Sequence, residues 1–206
     1  MIAAPADLFG VASPAAWPVG WQHVDEFVDE NEESALLAHI AALPLEAARY
    51  KDWTAKRRVA HFGTGYDFDA NRLLEAQPMP AWLHPLRDRA ARWAGLDAHA
   101  FATALVAEYT PGTGLGWHRD VPDFEHVFGL SLGGRARLML RPWPPDAPKK
   151  SDVRSVPLER RSAYLLRGDA RWRWQHAIAP TRELRWSITL RTRVARGRVA
   201  APRTAR

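Results

Sequence analysis

The sequence predicts an α+β domain that is mainly β: a sheet sandwich backed by helices near its N-terminus. Three observations carry this. Apolar residues recur at helical spacing in two segments before Gly95, and short alternating strands separated by turn residues follow from Phe101. A chain of 206 residues with ten tryptophans also has the length and the bulk for one packed core.

The elements follow in order. Residues 1–28 read as a loop and a short strand wrapping the domain, punctuated by Pro5, Pro14 and Pro18. A first helix comes next: Asp29 or Asn31 can cap it, Glu32 and Glu33 suit its positive end, and Leu36, Leu37, Ile40 and Leu43 make one apolar stripe before Pro44. A second helix opens at Pro80, runs through Trp82, Leu83, Leu86, Ala90 and Trp93, and ends at Gly95. Strands are expected over 101–109, 128–132, 135–140, 162–166 and 185–193, with turns at Pro111-Gly112-Thr113-Gly114, Gly133-Gly134 and Arg167-Gly168-Asp169. The proline-rich 142–155 reads as a loop. Residues 195–206 are rich in Arg and Ala without periodicity, a disordered basic tail behind a single domain of 1–194.

Composition narrows the functional classes. No run approaches the roughly 18 apolar residues of a membrane span, so a soluble protein is expected. No Lys or Arg precedes Arg49, which leaves the N-terminus without the basic region of a signal or transit peptide. Cysteine is absent, which excludes disulfides and thiolate ligands and points to hard N/O donors in a cytoplasmic protein; a monomer is expected. The formal charge of +6 is polarised, with acids alone before Arg49 and the bases after it, which suits a polyanionic partner or the codon bias of a GC-rich genome equally well.

The chemistry sits in Trp117-His118-Arg119-Asp120. Residues i and i+2 of an extended segment share a face, so His118 and Asp120 can chelate one ion while Arg119 points away. His176, ahead of the apolar Ala177-Ile178, is placed on another strand to complete a 2-His-1-carboxylate site, the arrangement that leaves half of an Fe(II) coordination sphere open. A solvated loop pair is the plainer reading of His118 and Asp120 taken alone. What favours iron is the strand downstream, where Arg185, Ser187, Thr189 and Arg191 share one face and Trp186, Ile188 and Leu190 the other. Its arginines offer forked donors for a dicarboxylate cosubstrate.

These motifs, together with Val106-x-x-Tyr109-x-Pro111-Gly112, Gly116-Trp117 and Arg57-Arg58-Val59-x-His61-Phe62-Gly63 followed by Tyr66, resemble the AlkB family of 2-oxoglutarate-dependent Fe(II) dioxygenases, in the form of a bacterial AlkB-like protein. The resemblance covers about residues 50–193. It implies a double-stranded β-helix, or jelly roll, with the metal at its open end. It further implies Fe(II), 2-oxoglutarate and O2, with His118, Asp120 and His176 as catalytic metal ligands. Arg185, Tyr109 and Ser187 would hold the distal C5 carboxylate of the cosubstrate and Arg191 would lie near its C1 carboxylate. Two departures stand out: Ala107 replaces an asparagine that usually assists the C1 end, and Pro122 replaces an acidic residue that helps some members read the base, with Asp123 one step out of register.

The expected substrate is alkylated DNA or RNA, repaired by hydroxylating an N-alkyl group that then leaves as an aldehyde. Residues 50–68 would form the lid, with Lys56, Arg57 and Arg58 on phosphates and His61, Phe62 and Tyr66 around an extruded base. The same stretch also reads as an antiparallel hairpin turned at Gly63-Thr64-Gly65 with buried aromatics. Alternatives to alkyl removal are hydroxylation of a modified tRNA uridine, a protein or a small molecule, since the Arg57 to Gly63 run also resembles the tRNA-modifying member of the family. A non-catalytic binding module is the remaining class, and the intact metal and arginine motifs argue against it.

Overall fold

The computed structural model describes residues 17–50, 53–67, 72–144 and 149–195. Of the expected elements, most of the N-terminal wrapping segment and all but the first residue of the basic tail lie outside these residues.

The chain begins with β1 (Trp21–Val24) and α1 (Glu30–Ala41), continues through β2 (Glu46–Tyr50), β3 (Trp53–Phe62), β4 (Thr64–Asp67) and β5 (Arg72–Glu75), and reaches α2 (His84–Ala94) after a 3₁₀ turn. The strand-rich half contains β6 (Phe101–Tyr109), β7 (Leu115–His118), β8 (Phe124–Gly133), β9 (Ala136–Pro142), β10 (Arg154–Leu158), β11 (Ala163–Leu166), the short α3 (Gly168–Trp172), β12 (Trp174–Ile178) and β13 (Arg185–Arg193).

The strands form a seven-stranded antiparallel sheet in the order β1-β11-β8-β13-β6-β3-β2 and a four-stranded one in the order β10-β9-β12-β7, with β4-β5 as a separate ribbon. Alternation assigns the two faces of the large sheet. Phe62, Ala104, Val106, Phe128, Leu130, Leu132, Leu165, Ile188 and Leu190 point outward and pack on Leu36, Ile40, Leu83, Leu86 and Ala90 of the helical layer. The inward face meets the small sheet through Val127, Leu138, Leu140, Leu158, Tyr164, Leu166 and Ile178. This is the expected jelly roll backed by N-terminal helices.

The first helix starts and the second ends where the sequence signals put them, but the second opens at His84 and not at Pro80, because residues 81–83 form a 3₁₀ turn. Asp29 caps α1 in a reciprocal capping box with Glu32. Glu33 is drawn inside instead of meeting solvent: it accepts from the Gly133 amide and from Arg160 at 2.8 Å, tying the helix to the sheet. Gly95 ends α2 in the left-handed region at φ 68°.

Two expectations are corrected. The hairpin turned at Gly63-Thr64-Gly65 does not form, because β3 pairs with β2 and β6 while β4 pairs with β5. Gly63 is instead a kink at φ 78°, where a methyl group would lie 2.2 Å from the Ala102 carbonyl oxygen. The loop expected over 142–155 ends early, because Arg154–Leu158 forms the edge strand β10, and an edge is where a strand tolerates a residue like Pro157.

Candidate metal and cosubstrate site

His118 closes β7, Asp120 follows it beyond the strand end, and His176 stands directly opposite His118 in β12. One donor atom from each of the three lies within 4.8 Å of the others. His118 Nδ1 donates to the Gly116 carbonyl at 2.9 Å, which leaves Nε2 with its lone pair. Burial, the charge of the neighbouring imidazole and nearby arginines push His176 down to about 3, and burial likewise lowers His118, so both rings are neutral at physiological pH and able to act as ligands.

Asp120 divides its two oxygens. Oδ1 accepts from Arg191 Nε at 2.5 Å, whereas the buried Oδ2, 3.6 Å from His176 Nε2, has no hydrogen-bond partner. Burial works against ionisation of this carboxyl, but the charge of Arg191, with contributions from His176 and Arg171, holds it well below the usual carboxylate range. The result is one anionic oxygen aimed between two neutral imidazoles, which fits a divalent cation.

Arg171 is a component that the sequence reading missed. It is buried on α3, and its Nη2 donates to the carbonyls of Asp120, Val121 and Phe124 at 3.1, 2.7 and 2.9 Å. A single guanidinium thus gathers the segment that carries Asp120. Its position two residues beyond the expected Arg167-Gly168-Asp169 turn was visible, but its partners belong to a distant loop.

The second half of the site lies on β13, whose polar residues face inward as expected. Arg185 is 1% exposed, donates from Nε to Ser131 Oγ at 2.9 Å, and stacks its guanidinium 4.9 Å from the Tyr109 ring centre. Its Nη1 is buried without a partner. A desolvated cation with an unused donor fits an anionic ligand, and Ser187, next along the same face, is also buried. Arg191 is brought to Asp120, on the metal side of the site, the side on which the C1 end of the cosubstrate was expected.

The expected substrate residues are split by strand alternation. Arg57 and His61 share the inward face of β3 with Val59. Arg57 Nε is buried without a partner, and desolvation with the charges of Arg191 and Arg57 pushes His61 down to about 4. Arg58 turns the other way and pairs with Glu108 through two bonds of 2.8 and 3.0 Å. Lys56 is exposed. Phe62, expected around a base, is instead 5% exposed within the core beneath the helices, on the face opposite His61. Tyr66 lies in β4, beyond the kink at Gly63.

Known proteins agree with this architecture. A family model described as the 2OG-Fe(II) oxygenase superfamily matches residues 26–200. The tRNA (carboxymethyluridine(34)-5-O)-methyltransferase ALKBH8 of Macaca fascicularis is 28% identical over 184 residues, 80% of this chain and 25% of that protein. The probable RNA/DNA demethylase ALKBH6 of Danio rerio is 30% identical over 169 residues, 76% of this chain and 68% of that protein. The chain thus spans about a quarter of the length of the macaque relative and about two thirds of the zebrafish one. A solved structure described as that of OsALKBH1 superposes with a TM-score of 0.70 at 16% identity, covering 86% of this chain and 98% of that one, which shows the shared fold. With the model match extending over nearly all the described residues and the donor set that such enzymes need at its centre, the chain belongs to the 2OG-Fe(II) oxygenase superfamily as an AlkB-like member.

Proposed function

We propose that this protein is an Fe(II)- and 2-oxoglutarate-dependent dioxygenase that removes alkyl groups from DNA or RNA bases. One observation carries the reading: a carboxylate oxygen without a partner beside two neutral imidazoles belongs to a residue held by Arg191, which shares the inward face of β13 with a buried arginine that has an unused donor. The first suits a divalent metal and the second the far carboxylate of a diacid.

His118, Asp120 and His176 would hold Fe(II), and Arg185 with Tyr109 and Ser187 would hold the distal carboxylate of 2-oxoglutarate. When bound, the metal with its cosubstrate and O2 supplies an oxidation that converts 2-oxoglutarate to succinate and CO2 and inserts one oxygen atom into a substrate C–H bond. On an N-methyl group the product is a hemiaminal, which breaks its C–N bond to release formaldehyde and the free base. The protein contributes geometry and dryness. Arg191 keeps Asp120 ionised and oriented, Arg171 holds its loop, and Arg57, whose Nε has no partner on the inward face, is the candidate for a phosphate at the mouth.

Nucleic acid as partner is supported by the names of the ALKBH6 and ALKBH8 relatives, and a role in repair of alkylated DNA follows from the same reading. We further propose that the protein acts as a monomer in the cytoplasm; among the described residues no helix is long and apolar enough to cross a membrane. The ALKBH8 relatives favour a second reading, oxidation of a modified tRNA uridine. Succinate release is the discriminating assay. Stimulation by methylated oligonucleotides supports alkyl removal, stimulation only by uridine-modified tRNA moves the substrate to the second reading, and a protein that turns over 2-oxoglutarate with neither points to a protein or small-molecule hydroxylase.

A further inference from the structure

The face of the small sheet that looks away from the metal ligands carries two tryptophan–arginine stacks. His118, His176 and Leu140 stand opposite one another across β7, β12 and β9 and point inward, so their chain neighbours Trp117, Gln175 and Arg141 point to the other side. There the Arg141 guanidinium lies 4.4 Å from the Trp117 ring centre, and its Nε donates to Gln175 Oε1 at 2.9 Å. Arg119 and Trp143 repeat the arrangement one step along. The Trp143 amide donates to the Arg173 carbonyl at 2.7 Å, which extends the pairing of β9 with β12 beyond Pro142. The Arg119 guanidinium lies 4.8 Å from the Trp143 ring centre, and its Nη1 donates to the Trp172 carbonyl at 3.1 Å.

Helices cover the outward face of the large sheet, whereas on this face Arg119, Arg137 and Arg173 are exposed and both indoles are half-buried. The surface is cationic. Arg173 has Asp169 at 3.8 Å, but burial alone, with no neighbouring carboxylate, acts on Arg119, and Arg141 is held by a neutral amide. A guanidinium stacked on an indole keeps its second plane and part of its edge open, features that take a base by stacking and a phosphate by hydrogen bonding. Each of these two is already fixed by a hydrogen bond, so little side-chain freedom is lost when a ligand arrives. The stacks are one same-face repeat apart along the strands, about 6.6 Å, against about 3.4 Å per base in a duplex strand. That spacing suits successive bases of an unstacked single strand.

Resting on the proposed function above, we infer that the Arg119–Trp143 and Trp117–Arg141 stacks form a track for the single-stranded nucleic acid that flanks the target base. Because Trp117 and Arg119 flank His118 in the chain, the track begins at the rim of the candidate metal site. It is separate from Arg57, which lies on β3 in the other sheet.

The test is fluorescence anisotropy with a labelled oligothymidylate, and with a duplex of the same length, on the wild-type protein and its Trp143→Ala, Trp143→Phe and Arg141→Ala variants. Trp143→Ala and Arg141→Ala should each raise the Kd for the single strand at least about fivefold. Trp143→Phe keeps an aromatic plane and should stay within about twofold of wild type. Duplex binding, Mn(II) affinity and thermal midpoint should be unchanged throughout. Unchanged single-strand Kd values in both alanine variants overturn the inference, and methylated oligonucleotides that still stimulate succinate release leave the proposed function standing. Wild-type protein that binds no oligonucleotide and is stimulated by none overturns both. A Trp143→Phe protein as weak as Trp143→Ala, or a fall in thermal midpoint in step with the loss of binding, assigns the stacks a structural role and overturns the inference.

Discussion

Arg191 Nε donates to Asp120 Oδ1 at 2.5 Å while Oδ2 of the same carboxylate has no partner, so an arginine expected near the C1 end of the cosubstrate also orients a candidate metal ligand. The pairing explains how a buried carboxyl between imidazoles stays ionised. The chemistry at this end of β13 is preparation of the ligand.

A pH dependence follows. Arg191 lowers the ionisation point of Asp120 against the opposing effect of burial and so favours the carboxylate. With Arg191→Met only burial and weaker neighbours remain, so the folded-state value rises and proton competition for the carboxylate moves up in pH. The wild-type protein should bind Mn(II) with similar affinity at pH 8 and pH 6 once imidazole protonation is allowed for. Arg191→Met should bind more weakly at both and lose further affinity on acidification, as read by electron paramagnetic resonance titration. A parallel pair of pH profiles would contradict this.

Metal binding itself should depend on all three candidate ligands. His118→Ala, Asp120→Ala and His176→Ala should each weaken Fe(II) or Mn(II) binding by at least about tenfold. Titration with unchanged affinity in any of them would remove that residue from the centre.

Arg185→Met should leave Mn(II) binding intact and raise the Kd for 2-oxoglutarate by about 30-fold or more, because loss of a charge-assisted pair from a desolvated pocket costs about 2–5 kcal/mol. Calorimetry on the Mn(II)-loaded variant checks both halves. Arg191→Met should reverse the pattern, with the metal affected first.

Arg171→Met removes a donor shared by three carbonyls of the Asp120 segment. Unfolding free energy should fall by about 1–3 kcal/mol, and Mn(II) affinity should fall as Asp120 loses its fixed backbone. Denaturant unfolding and metal titration on one preparation separate the effects. Full metal affinity in a destabilised variant would confine Arg171 to packing.

The neighbouring arginines of β3 should behave differently. Arg57→Ala should weaken oligonucleotide binding and flatten its salt dependence, whereas Arg58→Ala, whose guanidinium is engaged by Glu108, should change binding little. Equal effects in salt-dependent binding assays would mean that the strand presents both residues to the nucleic acid.

What could be read from the chain was what depends on near neighbours. The spacing of His118 and Asp120, the two faces of β13 and the caps of both helices follow from local periodicity, and the structure reproduces them. Features that depend on pairing between distant segments were hidden. Arg57 and Arg58 looked equivalent until the register with β6 put Glu108 opposite one of them, and Phe62 looked like a stacking platform until the same register turned it under the helices. Arg171 carries no motif, since its role is created by a loop brought to it from elsewhere. The strand β10 was obscured by Pro157, which an edge position accommodates.

The strands that carry the two histidines are unequal. His176 belongs to β12, flanked on both sides, whereas His118 ends the four-residue β7 at the border of the small sheet, joined to it through an irregular register. An ion shared by the two rings would therefore act as a fastener for that border. Loading the metal should slow amide exchange over Leu115–His118 far more than over Trp174–Ile178, so half of the coordination sphere stands ready while the other half is recruited by the ion it receives.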